Sequence, residues 1–393
     1  MLSFVRRSLA VLAGATVTVS PVAAAACAPS SAAAAAAGAP RPHVVFRLQD
    51  PRIDEASGIA VGVRSPGVVY VQNDSGDTNR FFAVNARTGA TAATITVDGA
   101  RNVDWEDIAT APDAAGTPSV WLADIGDNDA TRRAVQIYRV AEPRVAARAH
   151  DRSIAVPVAA TWRLRYPDGP TDAESLAVAP DGTAYVVSKS LTGTSAVYRV
   201  PRAPGAARSR ALRKIGAIHF VARGTPNPFG VAGELLATGA ALSRDGSQFV
   251  VRTYAAAYLW PVRRHDLAGA LRSRPTYLAL PRERQGEGIA FDGRRLLVDS
   301  EGRGSAVDSV ALPRSPAQQP AAGSGAATTG AAAPSTVADA AGSPSTAPRS
   351  PAPGSHGGGG FSVAGLIVLA LLVAVSIAFR QRRRRPPPDD RQP

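Results

Sequence analysis

The segment from His43 to Leu312 alternates apolar and polar positions with a period of two in many short stretches, without a long amphipathic helical pattern. Such alternation is typical of half-buried β-strands. The stretches recur in a set order: an acidic residue with a small apolar strand, a turn rich in Gly, Pro and Asp, and then a more hydrophobic strand. The pattern therefore predicts an all-β protein made of repeated sheet units.

Five such units are visible along this segment. The first strands are predicted at Glu55–Val61, Glu106–Thr110, Glu174–Val178, Ala237–Leu242 and Glu287–Phe291. The second strands are predicted at Val68–Gln72, Val120–Ala123, Ala184–Val187, Gln248–Val251 and Arg295–Val298. Third strands that contain an aromatic residue and end in valine follow in four units, at Phe81–Val84, Ile137–Val140, Val197–Val200 and Tyr258–Val262.

Repeated sheet units of this kind, arranged radially, form a β-propeller, so we predict a propeller of five four-stranded blades. Small residues in the first strands, such as Gly58, Ala109 and Gly239, suit the crowded position next to the axis. The last unit lacks an outer strand and His43–Leu48 lacks a partner, so their pairing would close the ring. A sixth blade within Ile215–Leu236 is the alternative to five blades, and a pair of β-sandwiches is the alternative fold.

The two ends of the chain predict export and anchoring. Residues 1–26 match a secretory signal peptide, with Arg6 and Arg7 before an apolar stretch and small residues at the cleavage site. Residues 361–379 form an uncharged apolar run that is long enough to cross a bilayer as a helix. The arginines of residues 380–393 then place this basic tail in the cytoplasm by the positive-inside rule. We therefore expect a single-pass protein of the cell membrane with its N-terminal ectodomain at the cell surface.

Composition separates the ectodomain from its flanks. Residues 27–42 are a leader of mostly Ala and Ser, and residues 313–360 are a Pro/Ala/Gly/Ser-rich stalk; both are predicted to be disordered. Only residues 43–312 have the composition of a packed domain. Of the net charge of +13, the signal peptide contributes +2 and the tail +4, which leaves +7 for the exported part. This charge is spread out, which argues against nucleic-acid binding. The single cysteine, Cys27, excludes an intrachain disulfide.

Charged residues are expected to collect on one face of the ring. Because the first and second strands of a blade are antiparallel, the start of the first and the end of the second lie at the same edge. The set at the first strands is Glu55, Glu106 with Asp107, Glu174, and Glu287. The set after the second strands is Asp74 with Asp77, Asp124 with Asp127 and Asp129, Lys189, Arg252 with Tyr254, and Asp299 with Glu301.

Carboxylates crowded at a channel mouth would repel one another and raise one another's pKa, and a hard cation that takes oxygen ligands would relieve this. We therefore expect Ca²⁺ as a cofactor, with Glu55, Asp74, Asp77, Glu106, Asp107, Asp124, Asp127, Glu174, Glu287 and Asp299 as candidate ligands. Lys189 and Arg252 are the candidate anion-binding pair on the opposite side. The alternative is that Asp74–Asp77 and Asp124–Asp127 are structural turns whose side chains satisfy loop amides.

Other chemistry leaves weaker signals. Further acids lie around the start of the first strand in the second and third units, within Asp104–Asp107 and Asp172–Glu174. The histidines show no pair at zinc-ligand spacing, and the sequence contains no Gly-x-Ser-x-Gly elbow, Walker loop or dinucleotide fingerprint. A serine hydrolase and a nucleotide enzyme are therefore disfavoured.

Several strings carry a resemblance. They are Glu-Ala-Ser-Gly-Ile-Ala (55–60), Asn-Asp-Ser-Gly-Asp (73–77), Asp-Trp-Glu-Asp-Ile-Ala (104–109), Asp-Ile-Gly-Asp-Asn (124–128) and Gly-Glu-Gly-Ile-Ala (286–290). In this order they resemble exported actinobacterial β-propeller proteins described as WD-like, over most of residues 43–305. More distantly, the chain is similar to phytase-like and gluconolactonase-like propellers. That similarity implies a divalent cation held by acidic residues at the channel, and only Lys189 and Arg252 align with a phytase's phosphate-binding set.

Two functions from different classes fit these observations. In the first, a membrane-anchored extracellular propeller is a binding module whose mouth, with its cation, recognises a cell-envelope ligand or a protein partner. In the second, the chain is a metal-dependent hydrolase of phosphate esters or lactones, with Glu106, Asp124 and Glu287 as metal ligands and a bound water as nucleophile. The sequence favours the binding module, because it shows no general base apart from the acidic cluster.

Overall fold

The computed structural model describes residues 43–313, and these form five sheets in one ring, in which all but the pairs with β9 (Arg152–Pro157) and β14 (Gly205–Ala211) are antiparallel. The predicted signal peptide, leader, transmembrane helix and cytoplasmic tail, and the predicted stalk beyond Pro313, lie outside the described residues. Within residues 43–313, neither helix has the length and apolarity that a membrane crossing requires.

The first two blades are sheets of five strands. After β1 (His43–Arg47), the first blade contains β2 (Ala56–Val61), β3 (Val68–Asn73), β4 (Arg80–Asn85) and β5 (Thr91–Asp98). The second contains β6 (Trp105–Pro112), β7 (Pro118–Asp124) and β8 (Val135–Ala141). The chain then returns to the first blade with β9 (Arg152–Pro157), which pairs parallel to β5. After that, β10 (Ala160–Arg165) joins the second blade beside β8.

The remaining blades have four strands each. The third contains β11 (Ala173–Val178), β12 (Ala184–Ser188), β13 (Thr194–Arg199) and β15 (Arg213–His219), while β14 (Gly205–Ala211) extends the second blade parallel to β10. Helix α1 (Val231–Leu235) leads into the fourth, with β16 (Ala237–Leu242), β17 (Gln248–Thr253), β18 (Ala256–Pro261), helix α2 (Leu267–Ala270) and β19 (Thr276–Ala279). The fifth contains β20 (Gly286–Asp292), β21 (Arg295–Ser300) and β22 (Ala306–Ala311).

The ring closes between the two ends of the described chain. Strand β1 pairs antiparallel with β22 and becomes the outer strand of the fifth blade. The predicted five blades and the predicted closure by the N-terminal segment are therefore confirmed. The alternative sixth blade is wrong, because Ile215 belongs to β15 of the third blade and Val231–Leu235 forms a helix. The extra parallel strands β9 and β14 were not predicted.

The core is divided among the interfaces between blades. In the described residues, five clusters of buried apolar side chains each lie between two neighbouring sheets. Alternation along β3 explains this: Tyr70 faces the second blade and Val71 faces the fifth. At the mouth end of the first strands the backbones lie close together, since a Cβ on Gly239 would lie 2.5 Å from the carbonyl oxygen of Glu287 and one on Gly58 would lie 2.8 Å from Asp107 Oδ1. Glycine is therefore required at these two of the predicted small positions.

Candidate functional site

The first strand of every blade has an irregularity in the same place. The register between the first and second strands shifts by one residue near the mouth, as it does at a β-bulge. The residues at the shifts are Ser57, Glu106, Glu174, Thr238, and Glu287 with Gly288. Bulges re-aim side chains, so one position per blade is directed differently from the rest of its strand. Three of these positions carry glutamate.

The hydroxyls at two of the bulges join neighbouring blades. Ser57 Oγ donates to the carbonyl oxygen of Glu106 at 2.7 Å, and Thr238 Oγ1 donates to the carbonyl oxygen of Gly286 at 3.0 Å. Both hydroxyls therefore hold the backbone that carries the next blade's glutamate. The other bulges carry Glu106, Glu174 and Glu287, and these side chains line the mouth.

Glu106 lies at the centre of an acidic cluster. One ligand oxygen each from Glu106, Asp74 and Asp104 lie within 4.8 Å of one another. The same holds for Glu106 with Asp172 and Glu174. The cluster therefore joins three blades, since Asp74 follows β3, Asp104 precedes β6 and Asp172 precedes β11.

The charge state of this cluster is strongly perturbed. Burial raises the pKa of Glu106 well above its ordinary value, and the charges of Asp74, Glu174, Asp104 and Asp172 raise it further. Its side chain is almost fully buried, and among residues 43–313 its Oε1 has no hydrogen-bond partner. An ionised carboxylate in this position requires a compensating positive charge.

Lys189 and Tyr254 face the cluster from the third and fourth blades. Lys189 Nζ donates to Glu174 Oε1 and to the Tyr254 hydroxyl, the latter at 3.2 Å. Although burial lowers the pKa of Lys189, the neighbouring charge of Glu174 raises it, so this lysine is charged. The Tyr254 ring packs against Phe229 of the loop before α1, with ring centroids 4.5 Å apart.

Two further glutamates complete the rim of the mouth. Burial raises the pKa of Glu287 to about 7, although Lys189 and Arg252 oppose this shift. Burial raises the pKa of Glu301 to about 9, and the charges of Glu287, Asp74 and Glu55 add to the effect. Both carboxyls are therefore protonated over part of the physiological pH range.

Asp107 and Asp299 lie deeper and serve the scaffold. Asp107 Oδ2 accepts from the backbone N–H of Leu176 at 2.7 Å and of Ala240 at 3.4 Å, so one carboxylate joins the second, third and fourth blades. Asp299 Oδ1 accepts from the N–H of Gly288 at 2.7 Å. Burial raises the pKa of Asp107 well above its ordinary range and that of Asp299 to about 7.

The Asp-rich turns also make structural contacts. Asp77 Oδ2 accepts from Asn73 Nδ2 at 2.9 Å and pairs with Arg80. The Asp127 carboxylate accepts backbone N–H groups of Thr131 and Arg132, each at 2.8 Å.

The second turn contains a further ion pair. Asp124 Oδ1 lies 2.7 Å from Arg132 Nη2, so Arg132 also compensates the charge of this buried aspartate. These contacts match the alternative interpretation of structural turns for Asp77, Asp124 and Asp127. Asp129 lies exposed at the same turn.

Arg252, the other candidate anion-binding residue, is fully buried and surrounded by protein acceptors. Its Nη2 lies 2.6 Å from Glu283 Oε2, and its Nη1 donates to the carbonyl oxygens of Gly288 and Asp299. The guanidinium therefore holds the fourth blade against the fifth, whereas Lys189 faces the acidic cluster.

Some residues at the mouth were misplaced or missed from the sequence, although the sequence contains patterns that indicate their positions. Glu55 is exposed, and the position equivalent to Glu106 is Ser57, two residues further on. Aligning the units on the Ile-Ala pairs (59–60, 108–109 and 289–290) would have found this. Asp104, Asp172 and Glu301 were not among the candidate ligands. The first two stand directly before a first strand, in the position that faces the bulged glutamate.

A scan against protein-family models gives no match, and a search of curated proteins gives none either. Among solved structures, the PQQ-bound aldose sugar dehydrogenase of Streptomyces coelicolor is 12% identical with a TM-score of 0.37, over 70% of this chain and 99% of that chain. Virginiamycin B lyase from Staphylococcus aureus is 11% identical with a TM-score of 0.32, over 65% and 66%. The Cps50 (Swd1) β-propeller domain of Myceliophteria thermophila is 10% identical with a TM-score of 0.36, over 69% and 100%. These proteins are β-propellers, and likeness at this level says nothing about activity.

Proposed function

We propose that this chain is a membrane-anchored extracellular binding module whose channel mouth holds a divalent cation, Ca²⁺, and uses it to recognise a ligand or protein of the cell envelope. The observation that carries the proposal is Glu106. It is a buried carboxylate with four other carboxylates around it, and its Oε1 has no hydrogen-bond partner within residues 43–313.

The energetics favour a cation at this position. A buried charge without compensation costs several kcal/mol, so an apo mouth must protonate some of its acids. The raised pKa of Glu106 reflects that cost. A cation removes it by supplying the missing charge, and Ca²⁺ suits a set made only of oxygen ligands with irregular geometry.

The route of the chain supports an accessible mouth. The last described residues leave the ring beside the turn between β20 and β21, where Leu312 N–H donates to the carbonyl oxygen of Arg294 at 3.0 Å. This turn lies at the opposite end of the first strands from Glu287. With an anchor at residues 361–379, the stalk would start on the face opposite the mouth and leave the mouth accessible to envelope components.

Exposed apolar side chains support a partner at the same face. Of the large apolar residues that are exposed in the described chain, Val103, Leu191, Val221 and Val231 all lie in connections on the mouth side. These side chains are available for contact with a partner bound at this face. The cation would then fix a polar group of the partner while the rim contacts its apolar parts.

The test is Ca²⁺ binding to the purified full-length protein in detergent. After treatment with EDTA, titration with Ca²⁺ should give a saturable heat signal and raise the melting temperature by roughly 5–10 °C at one hundred times the Kd, which corresponds to about 2.7 kcal/mol. Mg²⁺ should give a smaller rise, because it requires near-octahedral geometry. A melting temperature that is the same in Ca²⁺ and EDTA would contradict the proposal.

A metal-dependent hydrolase is the second candidate, and Glu287 is the observation that favours it. Its pKa of about 7 and its buried Oε2, which has no hydrogen-bond partner within residues 43–313, suit a general base beside the cation cluster. Ca²⁺-dependent hydrolysis of a phosphate ester or a lactone that is lost in Glu287→Gln, with Ca²⁺ affinity kept, would support it. Absence of turnover for both substrate classes would leave the binding module alone.

A further inference from the structure

The acidic cluster consists of two ligand groups that share one residue. The first group is Asp74, Asp104 and Glu106, and the second is Glu106, Asp172 and Glu174; within each group the ligand oxygens lie within 4.8 Å of one another. The two groups lie on opposite sides of Glu106, because Asp74 belongs to the first blade and Glu174 to the third. One side chain therefore has acidic partners on both flanks.

We propose that the mouth holds two divalent cations bridged by the carboxylate of Glu106, an inference that rests on the cation binding proposed above. The first cation would lie between Asp74, Asp104 and Glu106. The second would lie between Glu106, Asp172 and Glu174. A bidentate carboxylate can give one oxygen to each ion, and paired ions in proteins stand roughly 3.5–4 Å apart.

Charge balance favours two ions over one. If all five carboxylates ionise to bind metal, they and Lys189 carry a formal charge of −4 in a largely buried space. A single divalent cation would leave −2 in that space, whereas two cations neutralise it. Since uncompensated buried charge costs several kcal/mol, the second ion has a driving force of its own.

The support around Glu106 suits a bridging ligand. Its backbone is held by the Ser57 hydroxyl, while its Oε1 has no hydrogen-bond partner within residues 43–313. Gly126 leaves room for the carboxylate, since a Cβ there would lie 2.0 Å from Oε1. The chain thus fixes the position of this side chain through its backbone, and its carboxylate can bind metal.

The two ions should bind with different strengths. Each group has an oxygen that accepts a backbone N–H, Asp74 Oδ1 from Ser75 and Asp172 Oδ1 from Asp127, but Glu174 of the second group also pairs with the ammonium of Lys189. A cation between Asp172 and Glu174 must compete with the lysine ammonium for Glu174. We therefore assign the weaker binding step to this second group and the tighter step to the group with Asp74 and Asp104.

The experiment is calorimetric titration of the EDTA-treated full-length protein with Ca²⁺ alone. The expected result is two binding steps with a total of two ions per chain. One ion per chain would overturn the bridged pair and leave the proposed function standing, whereas no binding would remove both.

Variants assign each step to its group. Asp74→Asn should weaken the tight step, and Asp172→Asn should weaken the weak step, each by about 10-fold or more. Glu106→Gln should weaken both steps. Lys189→Met should strengthen the weak step, because the competing ammonium is removed. Asp98→Asn, at an exposed carboxylate outside the cluster, is the matched control.

Folding is checked by the melting temperature of each variant in EDTA. Loss of a repelling charge in Asp74→Asn, Asp172→Asn and Glu106→Gln should leave stability equal or higher, whereas Lys189→Met, which leaves Glu174 without its ion pair, should lower it. Equal loss of both steps in Asp172→Asn, with the fold intact, would overturn the assignment to separate groups. So would an Asp172→Asn variant that still binds two ions with unchanged affinity.

Discussion

Gly126 lies directly against the carboxylate of Glu106: a Cβ at position 126 would stand 2.0 Å from Glu106 Oε1 and 2.5 Å from Asp104 Oδ2. The second Asp-rich turn therefore needs a glycine for reasons of space. The turn that holds Asp124 and Asp127 structurally also makes room for the neighbouring acidic cluster.

Gly126→Ala is expected to displace Glu106 and to lower the Ca²⁺ affinity by about 10-fold, with a loss of about 1–3 kcal/mol in stability from overpacking. Calorimetric titration and urea unfolding measure the two effects. Gly205→Ala is the matched control, because its Cβ would lie an ordinary 3.8 Å from Arg210 Cδ. Unchanged Ca²⁺ affinity in Gly126→Ala would show that the position of Glu106 does not matter for binding.

The stability of the cation-free protein should fall as the pH rises from 6 to 9. Folding raises the pKa of Glu287 and Asp299 to about 7 and that of Glu301 to about 9. Their contribution to stability is present below the unfolded-state pKa values, and it is lost as the pH passes through the raised ones. Melting in EDTA should therefore occur at least about 5 °C lower at pH 9 than at pH 6.

Ca²⁺ should reverse that trend at the mouth, because metal binding requires ionised carboxylates and releases protons. The increase in melting temperature caused by Ca²⁺ is expected to grow with pH over the same range. Proton release is measured by titrating Ca²⁺ in buffers of different ionisation enthalpy. A Ca²⁺ effect that shrinks with rising pH would speak against carboxylate ligands.

The buried pair of Arg252 and Glu283 is expected to matter for stability. Arg252→Met should cost about 3–5 kcal/mol at pH 8, because it leaves Glu283 buried without its partner. The loss should be smaller at pH 5, where Glu283, whose pKa burial raises to about 7 even beside Arg252, is protonated. Urea unfolding at both pH values measures this, and an equal loss at both would mean that the arginine acts through packing alone.

Closure of the ring should depend on β1. Phe46 is 5% exposed and packs between the fifth and first blades, whereas Val44 on the same strand is 47% exposed. Phe46→Ala should cost about 3–5 kcal/mol, and Val44→Ala should cost little. Hydrogen exchange of the β22 amides should accelerate in the first variant only. Protection of β22 that survives Phe46→Ala would show that the ring stays closed without this contact.

Local patterns predicted the repeating part of the fold. The predicted first and second strands agree with the observed ones within three residues at each end, because alternation of apolar and polar residues follows the pleat itself. Strand β22 was not recognised, since its Asp308 and Ser309 are buried polar residues that break the pattern. Strands β9 and β14 are edge strands with largely exposed side chains, so their sequences carry little signal.

The candidate site, like the fold, was predicted from the sequence only in part. The sequence brought Asp74, Glu106 and Glu174 to one mouth by strand direction alone, and the structure places them in one cluster. It could not separate Asp107, one residue from Glu106, whose carboxylate turns into the scaffold. A bulge decides between the two, and a bulge depends on how neighbouring blades pack.

By itself, the sequence determined the first two strands of each blade, the repeat and the acidic character of one face, because periodicity and strand direction are properties of the chain. Only the tertiary structure decided which carboxylates meet and which are satisfied by arginine or by backbone N–H groups. It also gave Ser57 and Thr238 the role of holding the blades together. The physical reason is that burial and register at the axis arise only when all five first strands crowd around it, and no single strand contains that information.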